Sequence, residues 1–375
     1  FVFMGFMFSE SGMANNLYRM FHVWFGNLRG GLALGTIGLM VLIACMNGLS
    51  VAGMAIGATV ALPALLKHGY NKVMVTGVIQ AGSSLGILIP PSVVLVLYAM
   101  IARQPVLQLW LAGVFPGLLM AALFTLYIYI RCRINPDLGP AMPKEERDAI
   151  TREEKFRLLG AGVLPLMVFV IMMGLFLSGT TSLVESAAVG ALLSLLSVIL
   201  TGRFSWHMFE LSTRNTLSIS CMFLWIILAA LCFGAVYDGL GAVRAIKTLL
   251  LDTLDAGPWT ILILMLLSFI VMGMFLDDTA MLVIVAPLYI PLVKQLGFDP
   301  IWFGILYTIT CQIAYITPPF GYNLFLMRAM APPEITLGDI YRSIVPFVGL
   351  MILTIIILMV FPEIALWLPN WWTGR

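Results

Sequence analysis

The stretch ITPPFGYN, residues 316–323, lies inside an apolar run and decides how this chain is read. A proline within a helix removes a backbone hydrogen bond and collides with the preceding turn, and hydrocarbon supplies no replacement partner. Two prolines, a glycine and an asparagine so close together mark a helix that stops and restarts where protein, not lipid, surrounds it. The rest of the chain fits a membrane setting. Of 375 residues, 61% are hydrophobic and 10% are charged, against about 25% charged in soluble domains. Apolar runs long enough to cross a bilayer recur from end to end. The basic residues sit in short loops and form no continuous patch, which excludes nucleic-acid binding.

Cys45, Cys132, Cys221, Cys232 and Cys311 are scattered, with neither CxxC nor histidine spacing. They imply no disulfide framework and no zinc site. FVFMGFMF at 1–8 reads as the second half of a span, so the chain is expected to be incomplete at its start. No basic n-region of a signal peptide is seen.

Working outward from ITPPFGYN, a shift of 228 residues lays Pro63 on Pro291, Gly69 on Gly297, Asn71 on Asp299 and Pro90-Pro91 on Pro318-Pro319 without a gap. Few other positions match, so the agreement lies in residues that dictate backbone geometry. Each half then has the same order: an apolar helix pair with small or polar residues at its turn, a loop (KHGYN or QLGFD), and a helix broken by Pro-Pro. The first repeat is expected over 1–130, with a hairpin near 40–66 turning at MNGLSVAG and a broken helix over 73–102. A polar linker follows at 131–157, and its seven Lys/Arg place it in the cytoplasm by the positive-inside rule. The second repeat is expected over 158–375, with a hairpin near 259–296 turning at MFLDDTA and a broken helix over 301–331. The fold class expected is an all-α polytopic membrane protein with two inverted repeats, each holding a re-entrant hairpin and a Pro-Pro-broken transmembrane helix. Such paired elements point to a secondary transporter with its site at the repeat interface.

A helix that stops leaves carbonyls without partners, and one that restarts leaves N–H groups, so each break offers a cation ligand set and an anion cradle. Proline suits the restart because the first helical position needs no donor. Thr317, Gly321 and Asn323 add a hydroxyl, a close backbone approach and an amide, and Ser83, Ser84 and Gly86 do similar work in the first half. Hard oxygen ligands of this kind suit Na⁺ as well as water. Asp277 and Asp278 are adjacent acids within an apolar run, where buried charge marks an ion pathway by default. One of them capping the next helix is the structural alternative. A substrate anion is expected between the two breaks, beside Ser84, Pro90, Asp278, Pro318 and Asn323. Glu185, in Ser-Leu-Val-Glu, reads as half of a capping box, and Asp238 as an interfacial loop residue. Arg103 and Arg328 read as snorkelling side chains. Trp24, Trp110, Trp206, Trp367, Trp371 and Trp372 read as an interfacial aromatic belt.

The runs LRGGLALG (28–35), LPALLKHGYN (62–71), SSLGILIPPSVVLVLYAMI (83–101), LAGVFPGLL (111–119), GMFLDDTAMLVIVAPLYIPLVKQLGFDPIWFGI (273–305) and ITPPFGYNLFLMRAMAPPE (316–334) resemble the DctM family. These are the large membrane subunits of tripartite ATP-independent periplasmic (TRAP) transporters, and the resemblance covers nearly the whole chain. It implies an elevator-type, Na⁺-coupled importer of small organic acids in the bacterial inner membrane. Its partners would be a small four-helix membrane subunit of the DctQ type and a periplasmic substrate-binding protein of the DctP type. Carried onto matching positions, the family's cation sites fall at Gly48, Ser50, Ser83 and Gly86, and at Asp277, Thr317 and Gly321. Many members carry Asp-Pro where this chain has Asp277-Asp278.

The nearest alternative is a single-component ion-coupled carrier of similar architecture, for citrate, arsenite or Na⁺/H⁺ exchange. A channel would need polar faces along several helices, whereas polarity here is concentrated at two levels. An intramembrane aspartyl protease would need a GxGD motif; Asp238 and Gly338-Asp339 do not supply one, and Asp339 is expected in a loop after Pro332-Pro333. No enzymatic activity is expected.

Overall fold

The computed structural model describes residues 1–26, 28–142, 151–241, 248, 257–276, 278–319 and 321–374. Among these residues every regular element is helical. The order is α1 (Val2–Glu10), α2 (Met13–Phe25), α3 (Gly31–Asn47), α4 (Ser50–Lys67), α5 (Lys72–Ser84), α6 (Val93–Ala102), α7 (Val106–Ile134) and α8 (Arg152–Leu177). There follow α9 (Leu183–Leu200), α10 (Trp206–Gly239), α11 (Pro258–Gly273), α12 (Asp278–Gln295), α13 (Pro300–Tyr315), α14 (Tyr322–Met330), α15 (Leu337–Val360) and α16 (Glu363–Thr373). Among the described residues, six helical segments are long and apolar enough to cross a bilayer: α4, α7, Leu158–Leu177 of α8, α9, Trp206–Ala229 of α10, and α15. This is a multi-pass helical membrane protein.

Burial sorts the helices into a centre and a periphery. Every residue of α13 from Ile301 to Ala314 is buried, as is α5 from Met74 to Ser84. Helices apolar on all sides belong inside the protein, and both are first halves of the Pro-Pro segments. In α10, only 6% of the spanning window is buried, so its surface faces the surroundings of the chain.

The element bounds recur at the interval seen in the sequence. Adding it to α4 (Ser50–Lys67) gives α12 (Asp278–Gln295), and adding it to the end of α6 at Ala102 gives the end of α14 at Met330. The cause is local. Asn71 Oδ1 accepts from the amides of Val73 and Met74 at 2.9 and 3.4 Å, and Asp299 Oδ1 accepts from those of Ile301 and Trp302 at 2.6 and 3.2 Å. Each cap satisfies orphan N–H groups at a helix start. Upstream, Gly69 (φ 75°) and Gly297 (φ 81°) each end a helix in the left-handed region. Tyr70 N–H then reaches Leu65 O and Phe298 N–H reaches Val293 O, both at 3.1 Å. This is the glycine stop in which a left-handed residue lets the chain fold back on the last carbonyls.

The two return arms differ in one respect. Both carry the aligned proline, Pro63 or Pro291, yet α4 widens into a π segment over Gly57–Ala61 whereas α12 stays α-helical over Asp278–Gln295.

Three sequence expectations change. Trp110 is 1% exposed, and its indole Nε1–H donates to Ser92 O at 3.2 Å, so it belongs to the core and not to the belt. Trp206, Trp367 and Trp371 are 72%, 51% and 63% exposed, as belt residues should be. Asp339 lies in the first turn of α15, not in a loop, where it and Thr336 form a capping box. Asp238 falls within α10 and not in a loop. Glu185 forms the expected box with Ser182 at the start of α9.

Candidate functional site

At the first break, α5 ends at Ser84, a single 3₁₀ turn covers Leu85–Ile87, and α6 restarts at Val93. Pro90-Pro91 is a cis pair, as is Pro318-Pro319 at the second break. The loose ends are gathered locally. Ile89 N–H donates to Leu85 O at 2.9 Å, and the Ser92 hydroxyl donates to Ile87 O while accepting from Leu95 N–H at 3.2 Å. Ser92 therefore serves both the stop and the restart.

The first hairpin tip rests on this break. Gly48 ends α3 at φ 67°, and a Cβ there would lie 2.1 Å from Pro91 O. Only glycine fits both the backbone angle and the approach. Val93 N–H, the first of α6, donates to Gly48 O at 3.3 Å. A Cβ on Gly86 would stand 2.9 Å from Leu49 O, and one on Gly53 would stand 3.4 Å from Ser83 Cα. Gly48, Ser50, Ser83 and Gly86 are thus brought to one place. Ser83 and Ser84 hydroxyls donate back to Gln80 O and Ala81 O at 2.9 and 2.8 Å, which leaves their oxygen lone pairs as acceptors.

At the second break, α13 ends at Tyr315 and α14 restarts at Tyr322. Thr317 N–H donates to Ala314 O at 3.2 Å, and its hydroxyl donates to Ile313 O. Gly321 (φ 34°) precedes α14 with no side-chain cap, so the restart keeps N–H groups free of a capping side chain. Thr317 O would lie 2.9 Å from a Cβ on Gly321, which places these two nominated residues against each other. Pro318 is half-buried beside them, and Pro90 is buried at the first break. Asp277 lies outside the described residues. Asp278 opens α12, which packs against α6.

The halves meet across the breaks. Helix α14 packs on α4, and α12 packs on α6, so each restarted helix lies against the return arm of the other half. Asn323 Nδ2–H donates to Ser50 Oγ at 2.9 Å, and Gln312 Nε2–H donates to Ser84 O at 2.9 Å. Among the described residues, Asn323 Oδ1, Gln312 Oε1 and Gln80 Oε1 are buried acceptors without a donor, and Asn47 Nδ2 is a buried donor without an acceptor. Buried amides of this kind cost free energy unless something completes them. Hard amide oxygens fit a small cation, and the same region offers hydroxyl and carbonyl oxygens from Ser50, Ser83 and Thr317.

Gln312, Gln80 and Asn47 were not singled out from the sequence. A signal was present: Gln312 stands 228 residues after Ser84, which it contacts, so the repeat interval itself leads from one to the other.

The architecture recurs in solved transporters. Over 99% of this chain and 86% of theirs, the YdaH transporter of Alcanivorax borkumensis superposes with a TM-score of 0.64 at 17% identity. MtrF of Neisseria gonorrhoeae, described within a class of antimetabolite efflux pumps, gives 0.57 at 17% identity over 98% of this chain and 80% of that one. The fold is that of a multi-pass membrane transporter. The chain belongs to the DctM family: residues 1–364 match the family described as Tripartite ATP-independent periplasmic transporter, DctM component. It is 32% identical over 374 residues to the C4-dicarboxylate TRAP transporter large permease protein DctM of Pseudomonas aeruginosa, covering 99% of this chain and 85% of that protein. The Ectoine/5-hydroxyectoine TRAP transporter large permease protein UehC of Ruegeria pomeroyi is 27% identical, over 99% of this chain and 84% of the relative. These relatives are named permeases; the chain is a transport subunit of the bacterial inner membrane and not an enzyme.

Proposed function

We propose that the chain is the large subunit of a Na⁺-coupled importer of small organic acids, which receives its substrate from a periplasmic binding protein and works beside a small four-helix membrane subunit. The observation that carries this reading is the meeting of two broken helices and a hairpin tip at Ser50, Ser84, Gln312 and Asn323. Relatives named for C4-dicarboxylates, ectoine and sialic acid support an organic-acid cargo.

Na⁺ would be held by oxygens of Gly48, Ser50, Ser83 and Gly86 at the first break, and of Thr317 and Gly321 at the second, with Asp277 completing the set. The orphan acceptors Gln312 Oε1 and Asn323 Oδ1 lie beside these groups. The substrate carboxylate docks between the breaks, near Ser84, Pro90, Asp278, Pro318 and Asn323, where the uncapped restart of α14 presents N–H groups of positive polarity. In this reading the residues of the two halves form inverted repeats, and the hairpin-bearing part slides past the remainder in an elevator movement.

Uptake by proteoliposomes tests the reading. Labelled organic acid should accumulate when an inward Na⁺ gradient, the small subunit and the binding protein are all present. Uptake by this chain alone would instead favour the single-component carrier.

A further inference from the structure

A cavity of about 470 Å³ lies away from the breaks, where the start of α5 meets the end of α7 and the start of α15. Its lining combines Arg131, Arg342, the Tyr127 hydroxyl and Asn71 with the apolar side chains of Met74 and Phe347. Among the described residues the ion pairs are Lys72–Asp339 at 2.7 Å and Arg214–Glu210 at 3.5 Å. Asp339, the acid one turn before Arg342, is thus engaged by Lys72 and by its own helix cap. Two exposed guanidiniums therefore share one cavity with no described carboxylate to match them.

Lys67, Lys72, Arg131, Arg133 and Arg342 gather at this end, which the positive-inside rule assigns to the cytoplasm. Exposed apolar side chains flank the two arginines: Val345, which lines the cavity, is 68% exposed, and Ile130 and Ile134, within one turn of Arg131 on α7, are 44% and 66% exposed. A soluble anion would gain nothing from that surface, whereas a molecule with a phosphate head and acyl chains would use both. Basic pockets between transmembrane helices on the cytoplasmic side suit anionic headgroups, and guanidinium pairs with phosphate bidentately. We propose that this cavity binds the phosphate headgroup of an anionic phospholipid of the cytoplasmic leaflet, held by Arg131 and Arg342, with the acyl chains along Ile130, Ile134 and Val345.

The site adjoins a close joint. A Cβ on Gly77 of α5 would lie 2.6 Å from Ser343 O, and Gln80 Nε2–H donates to Ser343 Oγ at 3.3 Å. A bound headgroup therefore bridges α7 and α15 beside the contact through which α15 supports the first broken helix.

The test titrates phosphatidylglycerol into the purified chain in detergent containing phosphatidylcholine, reading lipid binding by native mass spectrometry and stability by thermal melting. Phosphatidylglycerol should bind and raise the melting temperature, and the Arg131→Gln/Arg342→Gln pair should weaken binding roughly ten- to thirty-fold while melting as wild type in phosphatidylcholine alone. Equal binding by wild type and the double variant overturns the proposal. So does equal stabilisation by inorganic phosphate, which would make the site one for a soluble anion. If the double variant does not fold, the single variants decide: each should bind several-fold more weakly, and unchanged affinity in both overturns the assignment.

Discussion

Asn323 Nδ2–H donates to Ser50 Oγ at 2.9 Å across a separation of 273 residues, joining the restart of α14 to the start of the first hairpin's return arm. Both residues are buried, at 0% and 2% exposure. Removing one partner strands a polar group in the protein interior, at a cost of about 1–3 kcal/mol. Ser50→Ala and Asn323→Leu should each lower the melting temperature and uptake. The double variant should be less impaired than the sum of the two, with a coupling of about 1 kcal/mol. A thermal double-mutant cycle measures this, and strict additivity would mean that the contact does not join the halves.

Gly48→Ala meets two obstacles, a left-handed backbone and Pro91 O at 2.1 Å from the new carbon. The strain is on the order of 1–3 kcal/mol. Gly179→Ala shares the positive φ but has nothing nearby for a Cβ to meet. Melting and uptake assays should show a large loss of both for Gly48→Ala, and only a modest stability loss with intact uptake for Gly179→Ala.

Thr317→Ala removes a hydroxyl whose only described hydrogen bond is to the last turn of α13, at Ile313 O. Its effect on folding should stay below about 1 kcal/mol. If the oxygen serves the cation, the Na⁺ concentration for half-maximal uptake should rise about tenfold, equivalent to ~1.4 kcal/mol. An unchanged Na⁺ dependence removes Thr317 from the cation set.

Asp339→Asn tests a purely structural acid. The side chain caps α15 and pairs with Lys72 at 2.7 Å, the lysine exposed and the carboxylate 14% exposed. Ion pairs reached by solvent add little stability, and what they add weakens in salt. Stability should fall slightly, more at low ionic strength than at high, and uptake should be retained.

Much of this architecture was legible because its punctuation is geometric. Gly69 and Gly297 must turn left-handed, Asn71 and Asp299 must cap, and the paired prolines must break a helix, so their spacing exposed the matching elements before any packing was known. Side chains acting through tertiary contact were not legible. Trp110 has the sequence position of a belt residue, yet its indole holds Ser92 O in the interior. Gln312 is one polar residue in an apolar run, and its role depends on Ser84 lying opposite. Asp339 was missed for a simpler reason: Thr-x-x-Asp is the same cap signal as Ser182-x-x-Glu185, with a shorter acid. Asp277 falls outside the described residues, so its place in the cation set rests on the family resemblance.

We propose above that two broken helices and their hairpins form one Na⁺-coupled site fed by a soluble partner. Uptake of labelled organic acids into proteoliposomes, with the Na⁺ gradient and the binding protein each present or withheld, tests it most directly. Accumulation is expected only when both are supplied, and should collapse when the gradient is dissipated. Accumulation without the binding protein, or at the same rate with no Na⁺ gradient, would contradict it.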